Sequence, residues 1–222
     1  MIAPRTASSY RRYRKPVVES SLDMKETVYS APPLELSFRT MLSLDYLLRV
    51  DVRDIEPREF RGKKLKRDEQ GRFCTTALKL NNNMIDSWSG FDEVVNKLIS
   101  NPDDLNWVDL SFNALSSIDD VILKYPNIKI LHLHGNEIED LSDVDKLAKM
   151  PKLKSVSLHG NPIEQEKRYR TYMLTTLPQI RTLDLCTITK ADRETAATMG
   201  AMFNVRVKQR KNRKWKSNAQ SY

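Results

Sequence analysis

Three histidines in two short stretches are the residues of this chain whose type and spacing could bind a metal ion. His132 and His134 lie in "LHLHGN", and His159 lies in "LHGN" 25 residues after His134. Alternate residues of a strand share a side, so His132 and His134 project together. If the two stretches pair in register, His159 lies about 5 Å from His134. Three imidazoles at that spacing could hold zinc with a fourth ligand or a water molecule.

The histidines also fit a polar surface that contacts another protein, and we favour this interpretation. The sequence L-x-L-H-G-N is a common form of the repeat described below, so the histidines need no ligand to explain them. We therefore predict no metal site and no cofactor.

Nucleophilic catalysis would require a cysteine or a serine beside a base. Cys186 has no histidine near it in sequence, although His159 could lie on the adjoining strand. A P-loop, G-x-G-x-x-G, G-x-S-x-G and H-E-x-x-H are all absent. We predict that the chain is not an enzyme and has no small-molecule substrate. Cys74 is far from Cys186 in sequence, which indicates a reduced intracellular protein without a disulfide framework.

The histidines lie inside a repeat, L-x-x-L-x-L-x-x-N-x-L, in which isoleucine or valine replaces some leucines. "LNWVDLSFNAL" from Leu105, "IKILHLHGNEI" from Ile128 and "LKSVSLHGNPI" from Leu153 match it. "TTALKLNNNMI" from Thr75 and "IRTLDLCTITK" from Ile180 match in part, and the five starts are 30, 23, 25 and 27 residues apart. This leucine-rich repeat pattern predicts an α/β fold. We expect a right-handed solenoid of about five coils, with a parallel sheet on the concave side and helices on the convex side.

One asparagine in each of four coils is predicted to have a structural role. It follows the strand and turns inward, so its amide can satisfy backbone groups that the turn leaves unpaired. The predicted ladder of asparagines is Asn83, Asn113, Asn136 and Asn161.

The strand residues between the buried leucines form the predicted partner-binding face on the concave side. Trp107 and Ile130 are neighbours in this face, and exposed aromatic residues flanked by polar ones anchor many protein interfaces. The alternative for Trp107 is that it folds back over the N-terminal coil and covers the edge of the core. The predicted partner-binding residues are Lys79, Trp107, Asp109, Ile130, His132, His134, Ser157, His159 and Asp184.

The segment "NPIEQEKRYRTYMLTTLPQIRTLDLCTITKADR", residues 161–193, resembles the C-terminal cap of short intracellular leucine-rich repeat proteins. The resemblance rests on Asn-Pro, a helix with Tyr169 and Tyr172, and Leu-Pro-x-Ile-x-x-Leu-Asp. Upstream, "PPLELSFRTMLSLDYLL" resembles the N-terminal approach of the leucine-rich repeat-containing protein 51 family, which "LSFNAL", "LHGN" and "TKADR" also fit. This resemblance implies an intracellular protein of ciliated cells.

Positive charge is concentrated at the two ends of the chain. Removing the +3 of residues 1–30 and the +7 of residues 201–222 from the net charge of +8 leaves −2 for residues 31–200. Basic ends of this kind can bind nucleic acid, an anionic membrane or an acidic protein surface such as tubulin. The alternative is a solvated tail with no specific partner. The predicted contacts with an acidic partner are Arg11, Arg12, Arg14, Lys15, Arg206, Lys208, Arg210, Lys211, Arg213, Lys214 and Lys216.

These patterns divide the chain into four parts. We predict a basic N-terminal extension (1–33) and a basic C-terminal tail (201–222), each disordered when alone. Between them lie an N-terminal flanking or cap segment with a charged loop (34–72) and the repeat domain (73–200), which ends in its cap (161–200).

Taken together, these features favour a non-enzymatic scaffold that binds a protein on its concave face and an acidic surface through its basic ends. From the resemblance we expect a cytoplasmic protein of the cilium or flagellum, in a microtubule-associated axonemal assembly. Two alternatives stay open. One is a subunit of a nucleoprotein complex, because a similarly capped repeat fold occurs in the U2 small ribonucleoprotein, and the other is a phosphatase-regulatory repeat protein. We expect neither a membrane span nor a signal peptide, because no apolar stretch suits either.

Overall fold

The computed structural model describes residues 31–60, 62 and 64–200. The basic stretches at both ends, and their predicted disorder, lie outside the described residues. The strands are β1 (Leu34–Glu35), β2 (Ala77–Lys79), β3 (Trp107–Asp109), β4 (Ile130–His132), β5 (Ser155–Ser157), β6 (Thr182–Leu183) and β7 (Cys186–Thr187). The α-helices are α1 (Asp45–Arg49), α2 (Phe91–Leu98), α3 (Val144–Leu147) and α4 (Tyr169–Thr176). Residues 190–200 are also helical. Short 3-10 helices lie at Val52–Asp54, Pro102–Asp104, Asp120–Lys124, Leu141–Asp143 and Pro162–Gln165.

The strands form one sheet in chain order, in which β1 to β6 run parallel and β7 is antiparallel to β6. In this register Val108 lies between Leu78 and Leu131, and Val156 continues the row. The whole row is fully buried. The predicted leucine-rich repeat fold with a parallel sheet is therefore confirmed.

Each coil buries its leucines against the leucines of the neighbouring coils. Leu110, Leu133 and Leu158 follow three consecutive strands, and all three have 0% exposure. Burying a side chain of this size stabilises the fold by about 1.5–3 kcal/mol. A single coil has no second layer to provide that shelter, so the stack is stable only as a whole.

The sheet begins one coil earlier than the repeat pattern predicts. In β1, Leu34 pairs with Leu78 of β2, and Leu34 and Leu36 are both fully buried. The pattern misses this coil because Arg39 stands where the asparagine belongs. The backbone N–H of Arg39 nevertheless donates to Asn83 Oδ1 at 2.8 Å. The segment predicted as an N-terminal flank or cap thus supplies a sixth parallel strand.

The convex side holds an α-helix where a coil is long and a 3-10 helix where it is short. α2 buries four residues at three- and four-residue spacing, as its sequence predicts: Phe91, Val94, Val95 and Leu98. The next coil, of 23 residues from Leu105, returns through the 3-10 helix Asp120–Lys124. A 3-10 helix rises about 2.0 Å per residue against about 1.5 Å in an α-helix, so it spans the coil with fewer residues. None of the helices in the described part of the chain has the length and apolarity needed to cross a membrane.

α4 and the helical residues 190–200 close the C-terminal end of the stack. The guanidinium of Arg193 donates to the carbonyl oxygens of Leu174, Leu177 and Ile180 at 2.6, 3.2 and 2.7 Å. The last carbonyls of a helix have no partner within the helix. Arg193 therefore ties the end of α4 to the segment that packs against it.

The chain turns back after β6, and this places Cys186 away from its predicted position. Asp184 and Leu185 have φ values of 50° and 63°, and the turn leads into the antiparallel strand β7. Cys186 pairs with Leu183 across this hairpin and is exposed. It is therefore not the parallel-strand neighbour of His159 that the repeat register suggests.

Candidate partner-binding face

The concave side of the sheet carries two rows of side chains in the register predicted from the sequence. In one row Trp107 lies opposite Ile130. In the other, Lys79 is followed by Asp109, His132 and Ser157 on successive strands. The structure thus brings these predicted residues together on one face, and the loops that follow β4 and β5 add His134 and His159.

Trp107 lies within this face, with β1 and β2 between it and the N-terminal edge of the sheet. Its ring is edge-on to His132, with centroids 6.2 Å apart and an interplanar angle of 69°. The indole Nε1 is shielded from solvent and has no hydrogen-bond acceptor in the described part of the chain. Buried indole N–H groups usually have an acceptor, and an unpaired buried donor costs about 1–3 kcal/mol. The indole N–H of Trp107 is therefore a hydrogen-bond donor on the concave side that has no acceptor among the described residues.

The three histidines form one cluster of rings. The centroids of His134 and His159 are 4.6 Å apart with an interplanar angle of 8°, so these two rings stack. His132 lies 5.8 Å from His134, and Nδ1 of His134 lies 2.8 Å from Ser157 Oγ. Stacked imidazoles direct their nitrogens sideways, whereas zinc requires them to converge on one point. Among residues 31–60, 62 and 64–200, no group of three or more His, Cys, Asp or Glu side chains is arranged to hold a metal ion.

Lys79 and Asp109 each lie beside a titratable partner on the concave face. Lys79 Nζ lies 2.5 Å from Glu35 Oε2, and His132 Nδ1 lies 3.8 Å from Asp109 Oδ2. Burial alone would raise the pKa of Asp109, but its interactions with His132 and Ser111 outweigh burial and lower that pKa. Burial and the neighbouring His159 and His132 lower the pKa of His134. A neutral His134 is thus the form that this face favours.

Two of the predicted contact residues have other roles in the structure. Ser157 is fully buried beneath the histidine rings, which removes it from the accessible surface. Asp184 lies just beyond the end of β6. Its Oδ1 accepts the backbone N–H groups of Leu158 and His159 at 2.8 and 3.0 Å. Its Oδ2 accepts the hydroxyl of Tyr169 at 2.9 Å. Asp184 is therefore part of the cap.

Asp109 and Ile130 are also buried, which leaves Trp107, Lys79 and the histidines as the accessible part of the face.

The four predicted asparagines lie one above another just beyond the strands. In each, Nδ2 donates to a carbonyl of its own coil and to one of the preceding coil, as Asn136 does to Leu133 O and Leu110 O at 2.8 and 3.0 Å. The amide oxygen accepts a backbone N–H of the preceding coil, as Asn136 Oδ1 does from Leu115 at 3.0 Å. Equivalent bonds involve Asn83, Asn113 and Asn161.

The sequence prediction did not single out Phe112, whose ring lies edge-on against His134 with centroids 5.0 Å apart. The signal was present in the repeat itself. "LSFN" carries a phenylalanine where the two "LHGN" coils carry glycine. A large residue at a position that favours glycine indicates a role other than turn formation.

Sequence similarity to known proteins agrees with this fold. A leucine-rich repeat family profile matches residues 103–213. The chain is 43% identical over 175 residues to leucine-rich repeat-containing protein 51 of Macaca mulatta, covering 78% of this chain and 88% of that protein. It is 37% identical over 96 residues to the probable U2 small nuclear ribonucleoprotein A' of Caenorhabditis elegans, covering 43% of this chain and 38% of that protein. The solved Drosophila melanogaster SNF/U2A' complex matches with a TM-score of 0.47 and 27% identity, over 56% of this chain and 67% of that chain. Because the Macaca relative matches over most of both proteins, this chain belongs to the leucine-rich repeat-containing protein 51 family.

Proposed function

We propose that this chain is a non-enzymatic scaffold that binds a protein partner on its concave face and an acidic surface through its basic ends. The observation that carries the proposal is the cluster of Trp107 and the three histidines, which includes an indole donor without an acceptor in the described part of the chain. A carbonyl or carboxylate on a partner would satisfy that donor once the indole turns toward it. Trp is also among the residues that most often anchor protein interfaces.

The substitution Trp107→Ala tests the concave face. We expect the full-length variant to lose more than 1 kcal/mol of affinity for the protein that co-purifies with the wild-type chain from ciliated cells. The matched control is Asn96→Ala, an exposed substitution on α2 of the convex side. Unchanged affinity together with a lowered melting temperature would show that Trp107 belongs to the core, and would contradict this assignment.

We place the scaffold in a cytoplasmic, microtubule-associated assembly of the ciliary axoneme. Two features support this: the family resemblance, and the C-terminal tail, which has seven basic residues and no acidic one. Tubulin presents the kind of acidic surface that such a tail binds. Deletion of residues 204–222 should weaken co-sedimentation with microtubules, and the full chain should fractionate with axonemes. Recovery in nuclear extract and absence from axonemes would contradict the ciliary assignment.

A subunit of a nucleoprotein complex is the second candidate. It is supported by the similarity to the Caenorhabditis elegans protein whose name assigns it to a small nuclear ribonucleoprotein. Under this proposal the basic ends contact RNA phosphates, so the deletion of residues 204–222 would weaken RNA binding instead. Salt weakens both kinds of contact and cannot separate them. Cell fractionation combined with RNA cross-linking of the full chain does separate them.

A further inference from the structure

The loops that leave the strands form one edge of the repeat stack, which we call the ascending edge. It comprises the third, fifth and seventh residues after each of β1 to β5, from residues 38, 40 and 42 in the first coil to 160, 162 and 164 in the fifth. Backbone hydrogen bonds connect these loops from coil to coil. Met84 N donates to Met41 O, Ala114 N to Ile85 O, and Glu137 N to Leu115 O, each at 2.9 Å. The fifteen positions therefore lie on one continuous surface.

The first three coils carry the large apolar side chains of this edge, together with one exposed acid, Asp86. Phe38, Leu42, Met84 and Phe112 are 57%, 66%, 47% and 52% exposed. They are four of the seven large hydrophobic residues that are exposed in the described part of the chain. Exposed apolar side chains that cluster in this way mark interaction surfaces more often than scattered ones do.

Two of these residues hold a backbone conformation that phenylalanine rarely adopts. Phe38 and Phe112 have φ values of 59° and 53°. The equivalent residues in the other three coils are Asn82, Gly135 and Gly160, which tolerate this left-handed region. The strain is not offset by burial, because both phenylalanines are exposed. Strain held at an exposed aromatic residue points to a functional role.

The ring of Phe112 packs against two neighbouring residues. A Cβ atom on Gly135 would lie 2.7 Å from Phe112 Cδ1, so the ring lies across the glycine backbone. His134 supports its edge at a centroid distance of 5.0 Å and an angle of 86°. A rigid aromatic side chain loses little entropy when a partner binds.

The next two coils make the same edge acidic. Glu137, Glu139 and Glu164 occupy it and are exposed. Glu164 accepts the N–H of Gly160, whereas Glu137 and Glu139 have no ion-pair partner among the described residues. No lysine or arginine occupies any of the fifteen positions, in a chain with 37 of them, although the guanidinium of Arg58 lies 5.1 Å from the centroid of the Phe38 ring. The edge therefore has a mainly apolar half, which includes Asp86, and an acidic half.

We propose that the ascending edge is a second docking surface, and that its occupant is a segment of another protein that carries apolar side chains followed by lysine or arginine. Apolar side chains would cover Phe38, Met84 and Phe112, and the basic ones would face Glu137 and Glu139. The acidic half would repel an anionic membrane. A purely electrostatic contact would leave the apolar half uncovered. The inference is independent of the concave face, because it rests on a different set of side chains.

The test uses two synthetic amphipathic peptides, one of leucine and lysine and a matched one with glutamate for every lysine. Fluorescence anisotropy measures their binding to the full chain. The first variant is Phe38→Asn with Phe112→Asn, which gives both positions the residue that the second coil already has. The second is Glu137→Lys with Glu139→Lys. The matched control is Glu93→Lys with Asp120→Lys, which changes two exposed acids on the convex side.

We expect the wild-type chain to bind the lysine peptide at least about tenfold more tightly than the glutamate peptide, and each edge variant to lose about tenfold in affinity. The control should stay within about twofold of wild type. Equal binding by wild type and edge variants would overturn the proposal. It would also be overturned by concentration-dependent self-association, or by binding to phosphatidylserine vesicles, that disappears in the asparagine variant. If that variant does not fold, Met84→Gln tests the same surface without a backbone change.

Discussion

At the scale of single residues, the asparagine ladder is where one side chain supports two coils. Asn136 is buried and makes three hydrogen bonds, two of them to the preceding coil. Leucine packing between coils has no direction, whereas these bonds fix the position of one turn relative to the next. The ladder thus sets the register that aligns the concave rows.

Asn136→Ala should destabilise the domain by about 2–4 kcal/mol, because it leaves Leu115 N–H and the carbonyls of Leu110 and Leu133 without this partner in a buried site. Urea denaturation of the full chain measures the change. The control Asn96→Ala removes an exposed amide whose bond is to Asp92 O, and should change stability by less than about 0.5 kcal/mol. Similar losses in both variants would contradict the structural role of the ladder.

His134 makes the stability of the domain dependent on pH. Its pKa is lowered in the folded state, chiefly by burial and then by the neighbouring His159 and His132. The unfolded chain therefore binds a proton more readily, and folding loses stability as the pH falls below the ordinary histidine value of 6.5. Asp109, whose pKa is also lowered, loses its contribution only in the acid range below that window.

His134→Gln should therefore flatten the fall in stability between pH 7.5 and 5.5, a window about one unit either side of the ordinary value. The free energy of unfolding at both pH values measures the effect in the wild type and the variant. His132, His159, Asp109 and Asp184 also face this cluster and are unchanged in the variant. An identical slope in the two proteins would show that His134 does not contribute.

At the scale of elements, the sequence predicted those parts of the fold that follow the repeat and missed those that depart from it. The strands β2 to β6 and the helix α2 follow from leucine spacing. β1 was missed because Arg39 replaces the asparagine, although Leu34 and Leu36 keep the pattern. The hairpin that exposes Cys186 depends on positive φ values at Asp184 and Leu185. Neither residue is a glycine, so the sequence gives no indication of this turn.

The sequence predicts which residues lie side by side on the concave face, but not which of them are buried. Alternation along the strands places Trp107, His132 and Lys79 on one side. That Ser157 would be covered depends on how the three imidazole rings are arranged, which no spacing rule determines. The role of Asp184 in the cap depends likewise on the hydroxyl of Tyr169, which reaches it from another element.

Arg193 is the residue on which the C-terminal cap depends most. Arg193→Lys should destabilise the domain by about 1–2 kcal/mol, because a lysine cannot present the forked donors that reach three carbonyls at once. Chemical denaturation of the full chain measures this loss. The control Arg170→Lys alters an exposed ion pair with Asp192 and should cost less than about 0.5 kcal/mol. Equal effects would show that Arg193 is not special to the cap.

At the scale of the whole molecule, the excess positive charge and the candidate contact surfaces lie in different parts of the chain. Residues 31–200 have a net charge near zero, and the ends hold the excess of positive charge. The repeat domain offers a concave face with aromatic and imidazole rings, and an edge that carries apolar and acidic side chains but no lysine or arginine. Under the proposed scaffold function, surfaces of different chemistry on one stack would each select a different partner.

Photo-cross-linking from the concave face in ciliated cells tests the central claim most directly. The full chain would carry a photoreactive amino acid in place of His132, and in a matched control in place of the exposed Glu93 on the convex side. We predict that the first position cross-links to one protein retained in axonemes, and that the second position does not. The same products from both positions, or cross-links from the concave face to RNA alone, would contradict the account.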